Sequence, residues 1–272
     1  MSASNPNPSA SQGLSAGERV QLTDAAGGTQ AGGGSATMAI VQRELSSLFF
    51  SPIAYIIGFI FLFMTGWFFL SETLVSGSEA SMRLLFERMA AVLVFALPLL
   101  TMRSIADEFA SGTIETLMTA PVTDASVILG KFLGALTFFI ALLATTLVHA
   151  LILASYAEPV WSGILVGYLG LALLGGLFIA VGIFASTCTK HQLLAAIISM
   201  TLLALFTFVA NYGAQYANRD WVRSLCAYLN ILGHYDDFGK GILDLASLIF
   251  FVSGAGFFLF LATKVLESRR WR

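Results

Sequence analysis

Between Pro52 and Thr263 the chain holds six long stretches almost free of charge, and only a membrane span can use that much uninterrupted apolar sequence. The predicted fold class is therefore all-α, a polytopic integral membrane protein with six transmembrane helices. Span 1 is expected from about Ile53 to Leu70, with Pro52 at the first helical position, where its missing N–H has no partner to lose. Span 2 is short, because only Met89 to Met102 separate Arg88 from Arg103, so its charged ends must snorkel or face a partner. Spans 3 to 6 fall within Phe132 to Ala157, Pro159 to Cys188, Gln192 to Asn218 and Leu245 to Thr263. A charge at the centre of a span costs about 2.5–3.5 kcal/mol, and these windows avoid one.

Ahead of span 1, Ile40, Val41, Leu45, Leu48 and Phe49 share one side of a helical projection, with Gln42, Arg43, Glu44 and Ser46 elsewhere. That pattern predicts a short N-terminal helix lying at the membrane interface. Residues 1–37 are rich in Ser, Ala, Asn, Pro and Gly and read as a disordered tail, with the six-span apolar domain filling 38–272. The tail has no signal-peptide pattern and no lysine for a phosphate loop, and is expected to be a dispensable extension or a mis-assigned start.

Composition supports the membrane reading: 57% of residues are hydrophobic, 11% are charged against the quarter usual in soluble domains, and the mean hydropathy is +0.82. A formal charge of −2 gives no reason to expect nucleic acid as a partner. Cys188 and Cys226 fall on opposite sides of the predicted membrane and form no disulfide framework. Lys and Arg near the spans set the orientation. Arg43, Arg103, Lys131, Lys190, Lys264, Arg269, Arg270 and Arg272 lie on one side; Arg83, Arg88, Arg219, Arg223 and Lys240 lie on the other. Both termini are accordingly placed in the cytoplasm, leaving a cytoplasmic segment, 103–131, and an outer segment, 214–244.

The cytoplasmic segment carries the candidate function. Glu108 and Glu115 are seven residues apart and would share a face of a continuous helix, but Gly112 weakens that helix and Pro121 stops it. The expected order is helix, break, short helix and turn, with Thr123 capping the helix of span 3. In the outer segment His234, Asp236, Asp237 and Asp244 are ligand types, yet their spacing matches no metal motif, and the same stretch fits an amphipathic surface helix. No metal site is assigned. His149 is the intramembrane polar candidate, set against the plainer role of a neutral histidine bonded within the bundle. Gly130-x-x-x-Gly134 and Gly163-x-x-x-Gly167 could each bring helices close.

The chain resembles the permease subunits of type-two (ABC-2 class) ABC exporters, particularly the gliding-motility and copper-processing permeases. The matching residues are Arg103, Ile105, Ala106, Glu108, Gly112-Thr113, Glu115, Leu117, Pro121-Val122 and Gly130-Lys131, with support from His234 to Gly241 and Leu266 to Arg272. The resemblance implies a loop after span 2 that docks into a separate ABC ATPase, with Arg103, Glu108, Gly112, Thr113, Glu115, Leu117 and Pro121 forming the ATPase-coupling element. It further implies two ATPase copies that bind ATP and Mg, a second permease chain, identical or not, and room for an auxiliary outer protein. This chain would bind no cofactor, perform no covalent chemistry and work in the bacterial cytoplasmic (inner) membrane among lipid. Many relatives carry a basic residue just before the Gly-Thr pair, where this chain has Ala110 and Ser111. Competing classes are an ion-coupled secondary transporter, which needs charged residues in its spans, a membrane-embedded enzyme, which needs convergent reactive groups, and a non-transporting scaffold.

Overall fold

The computed structural model describes residues 33–74, 81–113, 123–156 and 159–270, and every regular element among them is helical. Six helices are long and apolar enough to cross a membrane: span 1, Pro52–Thr73; span 2, Arg83–Ser111; span 3, Asp124–Tyr156; span 4, Trp161–Cys188; span 5, Gln192–Tyr216; and span 6, Leu245–Arg269. Four shorter helices are α1, Gly33–Phe49; α2, Ala106–Ser111, which ends span 2; α3, Asp220–Leu229; and α4, Ile231–Gly239.

Span 4 is the axis of the bundle. Two thirds of its apolar window is buried, against a third or less for spans 1, 3, 5 and 6, and it packs on spans 2, 3, 5 and 6 and on α4. From Gly170 to Thr187 it is enclosed by these neighbours, while Trp161, Leu165 and Leu169 in its first turns are exposed, and its sequence is apolar all round. The two Gly-x-x-x-Gly pairs serve different neighbours. A Cβ at Gly130 would stand 2.6 Å from Ile40 and one at Gly134 2.8 Å from Glu44, so this pair is the notch that receives α1. In the other pair, Gly167 admits the Phe86 ring of span 2 and Gly163 meets Gly241.

The predicted elements appear with informative differences. Pro52 opens span 1, which runs beyond Leu70 through a π-helical turn, Phe69–Thr73. Span 2 is much longer than its uncharged window because its charged residues find partners. Arg88 grips both carboxylate oxygens of Glu72 at 2.9 and 3.1 Å, and Arg83 reaches Asp236 at 3.0 Å. Span 3 begins at Asp124, not near Phe132, with Thr123 accepting the Ser126 N–H as its cap. Lys131 therefore lies inside this helix and is 4% exposed.

The N-terminal helix also differs from its prediction. It starts at Gly33, within the stretch read as tail, because the contact of the Thr37 carbonyl with Gly130 continues the helix pairing beyond anything composition reveals. The predicted disorder of the preceding residues lies outside the described residues. Nor does α1 simply lie at an interface: it packs lengthwise on span 3, and Glu44, expected on the polar side, turns into the protein to meet Lys131.

Candidate functional site

Three of the predicted coupling residues, Arg103, Glu108 and Gly112, meet at the end of span 2, where the helix breaks between Thr101 and Ala106 and resumes as α2. A break in a buried helix leaves backbone N–H groups without their usual acceptors. Ser186 of span 4 supplies one: its Oγ accepts from the Ile105 and Ala106 N–H groups at 3.1 and 2.9 Å and donates to the Met102 carbonyl at 3.1 Å. At its other end α2 stops on Gly112, whose φ of +73° is left-handed and suits glycine.

Side chains from other spans hold the residues of α2 in turn. Lys131 of span 3 lies 3.0 Å from Glu108, 3.2 Å from Glu44 of α1 and 2.6 Å from the Ser104 carbonyl, which uses all three donors of its ammonium. Lys131 is 5% exposed at its side chain, Glu44 15% and Glu108 17%. The second carboxylate oxygen of Glu108 is buried with no hydrogen-bond partner among the described residues. Gln192 of span 5 donates to Asp107 and accepts from Arg103 Nε at 3.0 Å. From span 6, the Arg269 guanidinium stands 4.7 Å above the Phe109 ring and donates to the Cys188 carbonyl. Spans 3, 4, 5 and 6 thus each contribute one side chain to a single short helix.

A cavity of about 440 Å³ opens beside this cluster between α1, span 1 and span 2. Arg43, Glu44, Arg103, Asp107, Glu108 and Lys131 line its polar side and Leu48, Ile53, Ile57 and Leu99 its apolar side. Thr113 also borders it, with its hydroxyl 2.9 Å from that of Ser111. The remaining predicted coupling residues, Glu115, Leu117 and Pro121, lie outside the described residues.

Sequence reasoning did not assign Glu44, Lys131, Ser186, Gln192 and Arg269 to the site. One signal was available. Residues 127–135 around Lys131 contain no acidic residue, so a helical Lys131 needed partners from elsewhere in the chain. Ser186 gave no comparable signal, since a serine in an apolar helix ordinarily bonds back to its own turn.

His149 stands apart from this cluster, past a break in span 3 at Thr146. Its Nδ1 lies 2.9 Å from the Thr146 carbonyl, which also accepts from Tyr168 Oη at 2.9 Å, and its ring meets Phe69 edge-on. The histidine is thereby part of the local repair of a helix break. The residues of the outer segment are similarly engaged: His234 stacks on Phe250 and contacts Ser247, while Asp236 pairs with Arg83 and Lys240. Asp244 caps span 6 by accepting the Ser247 N–H at 2.9 Å, and that bond, with further ones from the Ser247 hydroxyl and the Ala246 N–H, holds its carboxyl below the usual aspartate range. Among the described residues no three His, Cys, Asp or Glu side chains converge as metal ligands would.

The cluster around α2 contains paired charges and capped backbone groups, an arrangement suited to transmitting position between helices. No curated protein matches the chain. Residues 10–219, more than half of its length, match the ABC-2 family transporter protein model, and with six apolar helices around one axis the chain belongs to that family of ABC transporter permeases.

Proposed function

We propose that this chain is the permease subunit of an ABC exporter and that α2, with the 112–122 segment after it, is the element through which a separate ATPase drives the spans. The observation that carries this reading is the attachment of α2 to spans 3, 4, 5 and 6 by Lys131, Ser186, Gln192 and Arg269. A displacement applied to this half-buried six-residue helix, whose last residues are exposed, reaches most of the bundle through direct side-chain contacts. Glu108 and Arg103 brace the element from within, while Glu115, Leu117 and Pro121 belong to the part that meets the ATPase.

The working assembly in this reading has two permease chains and two ATPase chains, and the ATPases bind ATP and Mg. The surplus of Lys and Arg at the Lys131 end supports a cytoplasmic position for that end and both termini, and this reading takes the membrane to be a bacterial inner membrane with the opposite end facing outward. That outer face, α3 and α4, is available to an auxiliary protein.

Copurification tests the proposal. The chain carries a C-terminal tag, is extracted in mild detergent from native-locus expression, and is compared with Gly112→Pro. Proline cannot adopt the +73° φ at this position, so the variant deforms the coupling segment while the spans remain. An ATPase with a Walker A loop, present with wild type and lost with an inserted, monodisperse variant, supports the reading. Absence of any ATPase from both samples overturns it in favour of a stand-alone transporter or scaffold. Equal ATPase recovery with both removes α2 as the docking element.

A further inference from the structure

The cavity between α1, span 1 and span 2 is ordered by depth. Its wall on span 1 starts at Ser51 and continues inward through Ile53 and Ile57, while its wall on span 2 starts at Leu99 and ends at Arg103, Asp107 and Ser111. The two spans run in opposite directions, joined by Glu72 and Arg88 at one end and by Ile53 against Leu99 and Met102 near the other. Both therefore turn apolar side chains toward the membrane interior and polar ones toward the Lys131 end. From Ser51 to Ile57 the rise is about 9 Å, enough to span a headgroup layer about 5–8 Å deep and the first acyl carbons below it.

The charges of this cavity balance, and only some of them are satisfied. Among the described residues three cations, Arg43, Arg103 and Lys131, face three carboxylates, Glu44, Asp107 and Glu108. Lys131 spends its donors on Glu44, Glu108 and the Ser104 carbonyl. What is left is two-signed. Arg43 is exposed and has no side-chain partner among the described residues, and Arg103 is engaged there only through Nε, by Gln192. On the acidic side, Gln192 engages one oxygen of Asp107, and the second oxygen of Glu108 is buried without a partner. A purely anionic ligand would meet as many carboxylates as cations. A ligand carrying a phosphate and an ammonium together answers both sets. No hydrogen bond or ion pair joins span 1 to α2 among the described residues, and the cavity lies where such a link would be.

We infer that this cavity binds one zwitterionic aminophospholipid of the surrounding bilayer. Its phosphate pairs with Arg43 and Arg103, its ammonium donates to Asp107 beside Glu108, and the start of its acyl chains lies on Leu48, Ile53, Ile57 and Leu99. The bound lipid links α1 and span 1 to α2. The inference rests on the spans crossing a bilayer and not on the ATPase reading.

Native mass spectrometry of the full chain, delipidated in mild detergent and titrated with phosphatidylethanolamine, phosphatidylcholine or phosphatidylglycerol of identical acyl chains, tests it. One phosphatidylethanolamine should bind about tenfold more tightly than either other lipid, because choline has no N–H to donate and glycerol has no positive charge. Arg43→Gln, which breaks no contact of the folded chain, should weaken that binding several-fold. Asp107→Asn keeps an oxygen for Gln192 but should bring phosphatidylethanolamine down to the level of phosphatidylcholine. Equal binding of all three lipids means boundary lipid only and overturns the inference, as does a preference for phosphatidylglycerol. Soluble phosphoethanolamine binding as tightly as the lipid means a site for a dissolved solute and overturns it too. Unchanged selectivity in Arg43→Gln places the lipid elsewhere, and Ile53→Trp, which fills the apolar side of the cavity, repeats that arm if either polar variant is not monodisperse.

Discussion

The two ends of the bundle both join helices through charged clusters, but they place those charges in opposite environments. At the Lys131 end, one ammonium and two carboxylates are withdrawn from water, and a serine from the central span caps two backbone N–H groups at a helix break. At the Arg83 end, the packing of α4 is apolar, with Tyr235 and Phe238 fully buried, and the charges form a rim: Arg83, Glu87, Asp236 and Lys240 are each 36–45% exposed. Water competes for every pair on that rim and screens it, whereas the buried cluster has nowhere to send a released charge. The first arrangement makes a stiff joint with a defined position, and the second makes a contact that can be adjusted at little cost. The proposed drive through α2 would need that asymmetry.

The largest expected effect is at Lys131. Lys131→Met leaves Glu44 and Glu108 facing each other without a cation, and breaking a buried pair in this way costs about 3–5 kcal/mol. Unfolding of the purified permease in detergent should show the loss. The triple change Lys131→Met, Glu44→Gln and Glu108→Gln should recover most of it, because no buried charge is then left unpaired. A Lys131→Met variant as stable as wild type would erase the distinction between the two ends.

Next comes Ser186→Ala, which removes the acceptor of the Ile105 and Ala106 N–H groups and should cost about 1–3 kcal/mol, the usual penalty for an unsatisfied buried donor. Hydrogen exchange distinguishes this from general loosening. Amides of α2 should exchange faster while those of α4, at the opposite end, keep their protection. Uniform acceleration across both helices would mean that Ser186 supports the whole bundle and has no special connection to α2.

Much of this architecture was legible in the sequence, and the remainder follows a physical pattern. Spans 1, 4, 5 and 6 were readable because length and lack of charge identify a span without knowledge of its neighbours. The proline at the start of span 1, the threonine cap of span 3 and the glycine break after α2 were readable because each acts within a few residues. Span 2 and the start of span 3 were drawn short because Arg83, Arg88 and Lys131 look like ends until their remote partners Asp236, Glu72 and Glu44 are known. The same blindness hid Ser186, Gln192 and Arg269 from the site. Their roles depend on helices more than 75 residues apart in sequence being adjacent in space. The start of α1 at Gly33 was hidden for a related reason, since the notch that receives this helix, Gly130 and Gly134 against Ile40 and Glu44, lies far along the chain.

On the rim of the opposite end the expected effects are smaller. Asp236→Asn removes one carboxylate shared by Arg83 and Lys240, and exposed pairs of this kind are worth about 0–1 kcal/mol. Even that difference should shrink on adding salt, which screens the wild-type pairs. A loss as large as that of Lys131→Met, insensitive to salt, would show that α4 is held by its charges and not by Tyr235 and Phe238.

The smallest effect separates the two ends by pH. Asp244 is half-buried, and its carboxyl is held below the ordinary value first by the Ser247 N–H and then by the Ser247 hydroxyl and the Ala246 N–H. A depressed carboxyl stabilises the folded state above its unfolded-state value, near 3.9 for aspartate, and that contribution fades as pH falls through the folded value. Asp244→Asn should therefore differ from wild type at neutral pH and converge with it in acid below about pH 4. Hydrogen exchange at Ala246 and Ser247, the amides it caps, reads the change locally, and α2 at the other end should not respond to the substitution. A difference that persisted in acid would mean that the cap works through the shape of the side chain, which asparagine shares in part, and that charge contributes nothing at this helix start.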